Sequence, residues 1–127
     1  MAKKRVLVVD DEPDFAVMVK KHLEKAGFNV DTAFDGEEAL TKVHDNPPDA
    51  MVLDVMMPEK DGYEVCAELK GDEKYQDIPI VLLTAVSDHV SSTRYSHFDG
   101  MSTEADDYLP KPASASDICE SVKRLLG

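Results

Sequence analysis

The chain has 127 residues, the usual length of a single domain, and 43% of them are hydrophobic, enough for a core without metal or disulfide support. Its net charge of −12, from 26 acidic and 14 basic side chains, opposes binding to nucleic acid and to anionic membranes. The basic start precedes an apolar run too short for a signal peptide, and no run approaches the roughly 20 residues of a membrane span. We therefore expect one cytoplasmic domain over residues 1–127.

The first part of the chain predicts a strand, a helix and a second strand. The unbroken apolar run Val6–Val9 is typical of a strand covered on both faces. It ends at Asp10 and Asp11, and Pro13 suits the first turn of the following helix. The second strand is expected over 29–33. Three- and four-residue spacing predicts the inner face of the helix, which Gly27 ends: Phe15, Met18, Val19, His22, Leu23 and Ala26.

The middle of the chain predicts a helix, a strand and a further helix. Asp35 and Glu38 have the spacing of a capping box, although Asp replaces the usual Ser or Thr. The run 50–53 predicts a strand that ends at Asp54, and a helix is expected from about Asp61 to Lys70. The expected inner residues of the two helices are Ala39, Leu40 and Val43, then Val65, Cys66 and Leu69.

The last part predicts two strands and a final helix. The run 80–83 is a strand that ends at Thr84, and 106–109 is a short strand followed by Pro110-Lys111-Pro112. Between them, 88–98 is weakly patterned and is interpreted as a helix. Either Ser114 or Ser116 caps the last helix, whose inner residues are Ile118, Val122 and Leu125.

This alternation of strands and helices predicts a doubly wound α/β fold. Parallel strands joined by right-handed crossovers place helices on both faces of the sheet. We expect five strands in the order 2-1-3-4-5 of the flavodoxin-like class. In that order strands one, three, four and five lie side by side.

Polar residues stand at the carboxyl ends of those four strands, the edge where ligands bind in open parallel sheets. They are Asp10 and Asp11, Asp54, Thr84 and Lys111. Three carboxylates in one crevice repel one another, and a divalent cation relieves that repulsion. Oxygen-only ligands indicate Mg²⁺, with Mn²⁺ as the alternative.

The same residues suit phosphoryl transfer. A carboxylate can act as the nucleophile and form an aspartyl phosphate. A cation and the Lys111 ammonium would offset the charge of the transferring group, and the Thr84 hydroxyl can donate to a phosphoryl oxygen.

With these motifs the chain resembles the receiver domain of two-component response regulators, of the single-domain type found in chemotaxis. The Asp-x-x-Met-Pro-x-x-Asp-Gly pattern is the most specific of the motifs. The matching segments occur in the order of the family and span most of the chain: Val6–Pro13, Leu53–Tyr63, Leu83–Ala85 and Ala105–Pro112.

The resemblance implies the roles of the site residues. Asp54 would be the phosphoacceptor, and Thr84 and Lys111 would contact the phosphoryl oxygens. Asp11, Asp54 and the Met56 main-chain carbonyl would bind Mg²⁺, with Asp10 reaching it through water. Tyr108 would act with Thr84 as the conformational switch, and the Lys111–Pro112 peptide bond would be cis.

The resemblance also implies the partners. A histidine kinase or a histidine phosphotransfer protein would donate the phosphoryl group, and an unidentified protein would act downstream. The domain would be a signalling phosphoacceptor rather than an enzyme, and either a monomer or a phosphorylation-dependent dimer. The chain stops after the last predicted helix. Two alternatives remain open: a single-domain regulator that acts by docking, or an output region that lies beyond this sequence.

Two departures from the family pattern fall between Thr84 and Lys111, and one of them is Glu104, where most members of the family have Gly. The interval from Thr84 to Lys111 is several residues longer than usual, which leaves the element over 88–104, with His89 and His97, undefined. Met56 and Val86 cannot orient a water molecule by hydrogen bonding, so we expect slow self-dephosphorylation.

Three other functions remain as alternatives. An FMN-binding flavodoxin-like protein would need a phosphate loop after the first strand, where the aspartates would repel phosphate. A haloacid-dehalogenase-type phosphatase would have Asp-x-Asp there instead of the adjacent pair Asp10 and Asp11. A degenerate receiver would act only as an interaction module, against which the complete set of site residues argues.

Overall fold

The computed structural model describes residues 3–57, 60–84 and 105–127. Within them, strands and helices alternate in the predicted order. They are β1 Arg5–Val9, α1 Pro13–Lys25, β2 Asn29–Ala33, α2 Gly36–Asp45, β3 Ala50–Asp54, α3 Gly62–Lys70, β4 Ile80–Thr84, β5 Asp107–Pro110 and α4 Ala115–Leu126.

The five strands form one parallel sheet in the order β2-β1-β3-β4-β5. This confirms the doubly wound, flavodoxin-like fold that the alternation predicts. The register pairs Val9 with Leu53 and Asp54 with Leu83. The carboxyl ends of β1, β3 and β4 therefore lie at one edge of the sheet.

Both faces of the sheet are covered, which explains why β1, β3 and β4 are nearly unbroken apolar runs. Leu7 and Val9 belong to a core cluster shared with α2 and α3, and Val6 and Val8 belong to one shared with α1 and α4. Full burial of a Val or Leu side chain contributes about 1.5–3 kcal/mol. A polar residue within these runs would forgo that stabilisation on either face of the sheet. Polar side chains therefore begin only where the strands end.

The N-termini of α2, α3 and α4 are capped by side chains, whereas α1 begins at Pro13 without a side-chain cap. Asp35 Oδ1 accepts from Glu38 N at 2.8 Å, while Glu38 Oε1 accepts from Phe34 N, one residue before the cap. The expected reciprocal box is thus shifted by one residue at α2. It is complete at α3, between Asp61 and Glu64. At α4 the capping residue is Ser114, whose hydroxyl accepts from Asp117 N at 3.0 Å.

The predicted inner face of α1 is partly wrong. Met18, His22 and Ala26 are exposed, and the buried positions are Ala16, Val19 and Leu23. The helix packs against β1, β2 and α4, so only one narrow stripe turns inward. The small side chain of Ala16 allows that close packing, whereas the spacing favoured the larger Met18 on the neighbouring row.

Two predictions fall on residues outside the described ranges: the helix over 88–98, with His89 and His97, and the part that Val86 has in the expected slow self-dephosphorylation. Within the described ranges, no helix is long and apolar enough to cross a membrane.

Candidate functional site

Three carboxylates meet at the carboxyl edge of the sheet. Asp10 follows β1 and Asp54 ends β3, and because Val9 and Leu53 are paired in the register these two aspartates are neighbours. One oxygen from each of Asp10, Asp11 and Asp54 lies within 4.8 Å of the others. Asp10 and Asp54 are buried and Asp11 is exposed, so the cluster opens to solvent on one side.

Asp10 has one oxygen that is hydrogen-bonded and one that is not. Oδ1 accepts from Glu12 N at 2.9 Å, whereas Oδ2 is buried without a hydrogen-bond partner among the described residues. Burial raises the pKa of Asp10 to about 6, and the charges of Asp54 and Asp11 add to the rise, while the Glu12 hydrogen bond and the Lys111 charge oppose it. A buried carboxylate oxygen beside two more carboxylates fits a hard divalent cation.

Asp54 is held at both of its carboxylate oxygens. Oδ1 accepts from Met56 N at 3.0 Å, and Oδ2 accepts from Lys111 Nζ at 3.1 Å. The carboxylate is therefore fixed at the end of β3 with a cation directly beside it. The Met56 side chain next to it is 56% exposed.

The Lys111 ammonium faces several carboxylates. Beyond Asp54, it lies 3.9 Å from Asp10 Oδ2 and 3.9 Å from Glu12 Oε1. Burial lowers the pKa of Lys111, but the hydrogen bond to Asp54 and the charges of Asp54, Asp10 and Glu12 outweigh it and raise the pKa above its usual value. The side chain is therefore a permanent positive charge at this edge.

The main chain links Lys111 to Thr84. Lys111 N donates to Thr84 O at 2.6 Å, and Thr84 is the register partner of Pro110. Asp54 pairs with Leu83, so Thr84 lies one residue beyond the partner of the buried aspartate. The edge thus combines three carboxylates, an ammonium and a hydroxyl on adjacent strands.

A protein-family model described as the response regulator receiver domain matches residues 6–123. This chain belongs to the receiver domain family. It is 41% identical over 123 residues to the alkaline phosphatase synthesis transcriptional regulatory protein PhoP of Bacillus subtilis, covering 97% of this chain and 48% of PhoP. The chain therefore spans about half the length of the curated relatives it matches.

Solved receiver structures have the same fold. The signal receiver domain of a signal transduction histidine kinase from Syntrophus aciditrophicus is 36% identical, with a TM-score of 0.85 over 97% of this chain and 89% of that one. The chemotaxis response regulator CheY4 of Vibrio cholerae is 29% identical, with a TM-score of 0.82 over 98% of this chain and 99% of that one.

Two further features of the receiver domain lie on or beside β5. Tyr108 pairs with Leu82 at the edge of the sheet, and its side chain is 39% exposed. The Lys111–Pro112 peptide bond is cis, the geometry that the resemblance implies.

Sequence reasoning missed two residues that contact the Lys111 side chain. Glu12 brings a carboxylate near the ammonium, and Phe15 presents its ring 5.6 Å from Nζ. Both follow the acidic pair directly, on the turn that leads into α1 and on its first turn. Their position directly after the acidic pair could have indicated that they lie near the site. The helical spacing, however, assigned Phe15 only to the inner face of α1.

Proposed function

We propose that this receiver domain accepts a phosphoryl group on Asp54 from a histidine kinase or a histidine phosphotransfer protein. The observation that carries the proposal is the Asp54 carboxylate, fixed by Met56 N on one oxygen and by the Lys111 ammonium on the other. In the transfer, an Asp54 oxygen forms a bond to phosphorus as the donor's phosphorus–nitrogen bond breaks. The imidazole nitrogen leaves with the electron pair and the acyl phosphate remains on the receiver.

Each neighbour has a definite role in this step. The Lys111 ammonium offsets negative charge on the transferring group, since it already lies 3.1 Å from Asp54 Oδ2. The Thr84 hydroxyl donates to a phosphoryl oxygen from the next strand. The hydrogen bond from Met56 N orients the carboxylate for attack.

Asp10, Asp11, Asp54 and the Met56 main-chain carbonyl would hold Mg²⁺ or Mn²⁺, with Asp10 acting through water. The unpaired buried oxygen of Asp10 and the grouping of the three carboxylates support this assignment. When bound, the cation neutralises charge on the carboxylates and on the phosphoryl oxygens.

We further propose that phosphorylation is read out through Thr84 and Tyr108. Movement of Thr84 towards the phosphoryl group would vacate space that the half-exposed Tyr108 ring can enter. An unidentified downstream protein would recognise the changed surface, with the domain as a monomer or a phosphorylation-dependent dimer. In this role the chain catalyses only its own phosphorylation and dephosphorylation.

Incubation with acetyl phosphate and Mg²⁺, followed by intact mass measurement, tests the proposal. Here the phosphorus–oxygen bond of the donor breaks and acetate leaves. The wild type should gain one phosphoryl group, and Asp54→Asn should gain none. Asp77→Asn, which neutralises an exposed carboxylate before β4, is the matched control and should behave as the wild type. Equal labelling of all three proteins, or of none, would contradict the proposal and favour the interaction-module alternative.

A further inference from the structure

The ring of Phe15 lies beneath the Lys111 ammonium, with Nζ 5.6 Å from the ring centroid. Phe15 stands in the first turn of α1 and is partly buried against the core cluster that contains Val6, Val8 and Ala16. The sheet and the helix therefore fix the ring. A cation within about 6 Å of an aromatic face is attracted by the ring quadrupole.

We propose that Phe15 is a positioning residue that holds the Lys111 ammonium at the acidic edge through this cation–π contact. An ammonium has three N–H donors, and Asp54 Oδ2 at 3.1 Å is within hydrogen-bond distance. The oxygens of Asp10 and Glu12, both 3.9 Å away, attract the charge but lie beyond hydrogen-bond distance. The neutral ring attracts the same charge without adding a further negative charge to the acidic edge.

The uncharged Phe15 ring matters most during phosphoryl transfer, when the charges around the Lys111 ammonium change. In this respect the inference rests on the proposed function. Before transfer, the Asp54 carboxylate is a charged partner of Lys111. After transfer, one of its oxygens is bonded to phosphorus, and the negative charge that faces Lys111 lies on the phosphoryl oxygens instead. The attraction of Phe15 for the ammonium does not depend on that charge, so the ring holds Lys111 at the edge in both states.

Nuclear magnetic resonance tests the contact in the unphosphorylated protein. With lysine labelled by ¹³C, the ε-methylene protons of Lys111 should be shifted upfield by the ring current of Phe15. The assignment is made by loss of the signal in Lys111→Arg. Phe15→Leu should abolish the upfield shift, whereas Phe28→Leu, which removes another aromatic ring packed on the same core cluster, should preserve it. An unshifted wild-type signal would overturn the proposal.

Fluorinated phenylalanines introduced only at position 15 test the electrostatic role with little change of shape. Successive fluorine atoms weaken the negative face of the ring. From unmodified to trifluorinated ring, the rate of phosphorylation at saturating acetyl phosphate and Mg²⁺ should fall in steps, by about two- to fivefold in all. The same replacements at Phe28 should leave the rate unchanged, and Phe15→Trp should restore or exceed the wild-type rate.

A constant rate across the series at position 15 would show that Phe15 only fills space, and an equal loss at Phe28 would show the same. If no variant accepts a phosphoryl group while the Lys111 shift still depends on Phe15, the contact stands and the proposed function fails. If Asp54 is phosphorylated at the wild-type rate in every variant, the proposed function stands and this inference fails.

Discussion

A Cβ atom on Gly62 would lie 2.5 Å from the main-chain oxygen of Asp54 and 2.8 Å from Val55 Cα. Gly62 is the first residue of α3, and its N–H donates to Val55 O at 3.2 Å. The start of α3 thus rests on the main chain that carries the buried aspartate. A side chain at this position would push α3 and β3 apart.

Gly62→Ala should therefore both destabilise the domain and slow the phosphorylation of Asp54. We expect a loss of about 1–3 kcal/mol in the free energy of unfolding, the usual range for overpacking. Gly71→Ala is the control, since its Cβ would approach one main-chain oxygen at 3.2 Å at an exposed helix end. Urea denaturation measures the stability and acetyl phosphate labelling the rate. Equal effects of the two substitutions would mean that the close contact between Gly62 and the Asp54 main chain does not determine stability or the phosphorylation rate.

Lys70 forms a second cluster of interactions, far along α3 from the acidic edge. Its ammonium donates to Ile78 O at 2.8 Å, to Gln76 O at 3.1 Å and to Asp106 Oδ2 at 2.9 Å. Asp106 Oδ2 also accepts from Ile80 N at 2.8 Å. The side chain of Lys70 is only 8% exposed, and its contacts link α3 to the segment before β4 and to the residue before β5.

Lys70→Met should lower the free energy of unfolding by about 1–3 kcal/mol, because the partly buried Ile78 O loses a donor and the more exposed Gln76 O and Asp106 carboxylate each lose one as well. Lys60→Met removes an ammonium that pairs with Glu68 at the same 2.9 Å but with both partners more exposed. We expect a much smaller change there, since exposed ion pairs contribute little. Chemical denaturation of both variants at one ionic strength compares their free energies of unfolding. Equal losses in the two variants would contradict the prediction.

The sequence predicted the sheet and the acidic edge for a common reason. The strands β1, β3 and β4 are buried on both faces, so their apolar runs end where Asp10, Asp54 and Thr84 begin, and parallel order brings those ends together. Contacts between different helices and strands have no comparable sequence pattern. Neither the face that Phe15 turns to Lys111 nor the approach of Gly62 to Asp54 follows from spacing within one helix.

The raised pKa of Asp10 predicts how stability depends on pH in the metal-free protein. Between pH 3.8 and about 6 the folded state binds more protons at this group than the unfolded state does, so stability falls as the pH rises through this window. Other carboxylates titrate there as well, so the readout is the difference between wild type and Asp10→Asn. At pH 4 the two proteins should be close in stability.

By pH 7 Asp10→Asn should have gained about 2–3 kcal/mol over the wild type in the free energy of unfolding, because the pKa of Asp10 rises from 3.8 to about 6 and each pH unit between them corresponds to about 1.4 kcal/mol. Added Mg²⁺ should reduce that difference by stabilising the wild type more than the variant, because the neutral amide contributes less to holding the cation. Denaturation series at several pH values, with and without Mg²⁺, make the measurement. Parallel pH profiles for the two proteins would rule out a raised pKa at Asp10.

The side chain of Met56 predicts a long-lived acyl phosphate. It is 56% exposed beside Asp54, where an attacking water would have to be oriented, and a thioether is too weak a hydrogen-bonding group to orient it. Met56→Asn supplies a donor and an acceptor at this position. One hydrogen bond to the attacking water, of about 1 kcal/mol, would speed dephosphorylation roughly fivefold.

The decay of phosphorylated protein in Mg²⁺, after removal of acetyl phosphate, measures this rate. Met56→Leu is the matched control because it keeps the size of the side chain and offers no hydrogen bond, so its decay should equal that of the wild type. An equal acceleration in Met56→Leu would assign the effect to steric access instead. If Met56→Asn decays at the wild-type rate, water orientation at this position does not control the lifetime of the phosphorylated state.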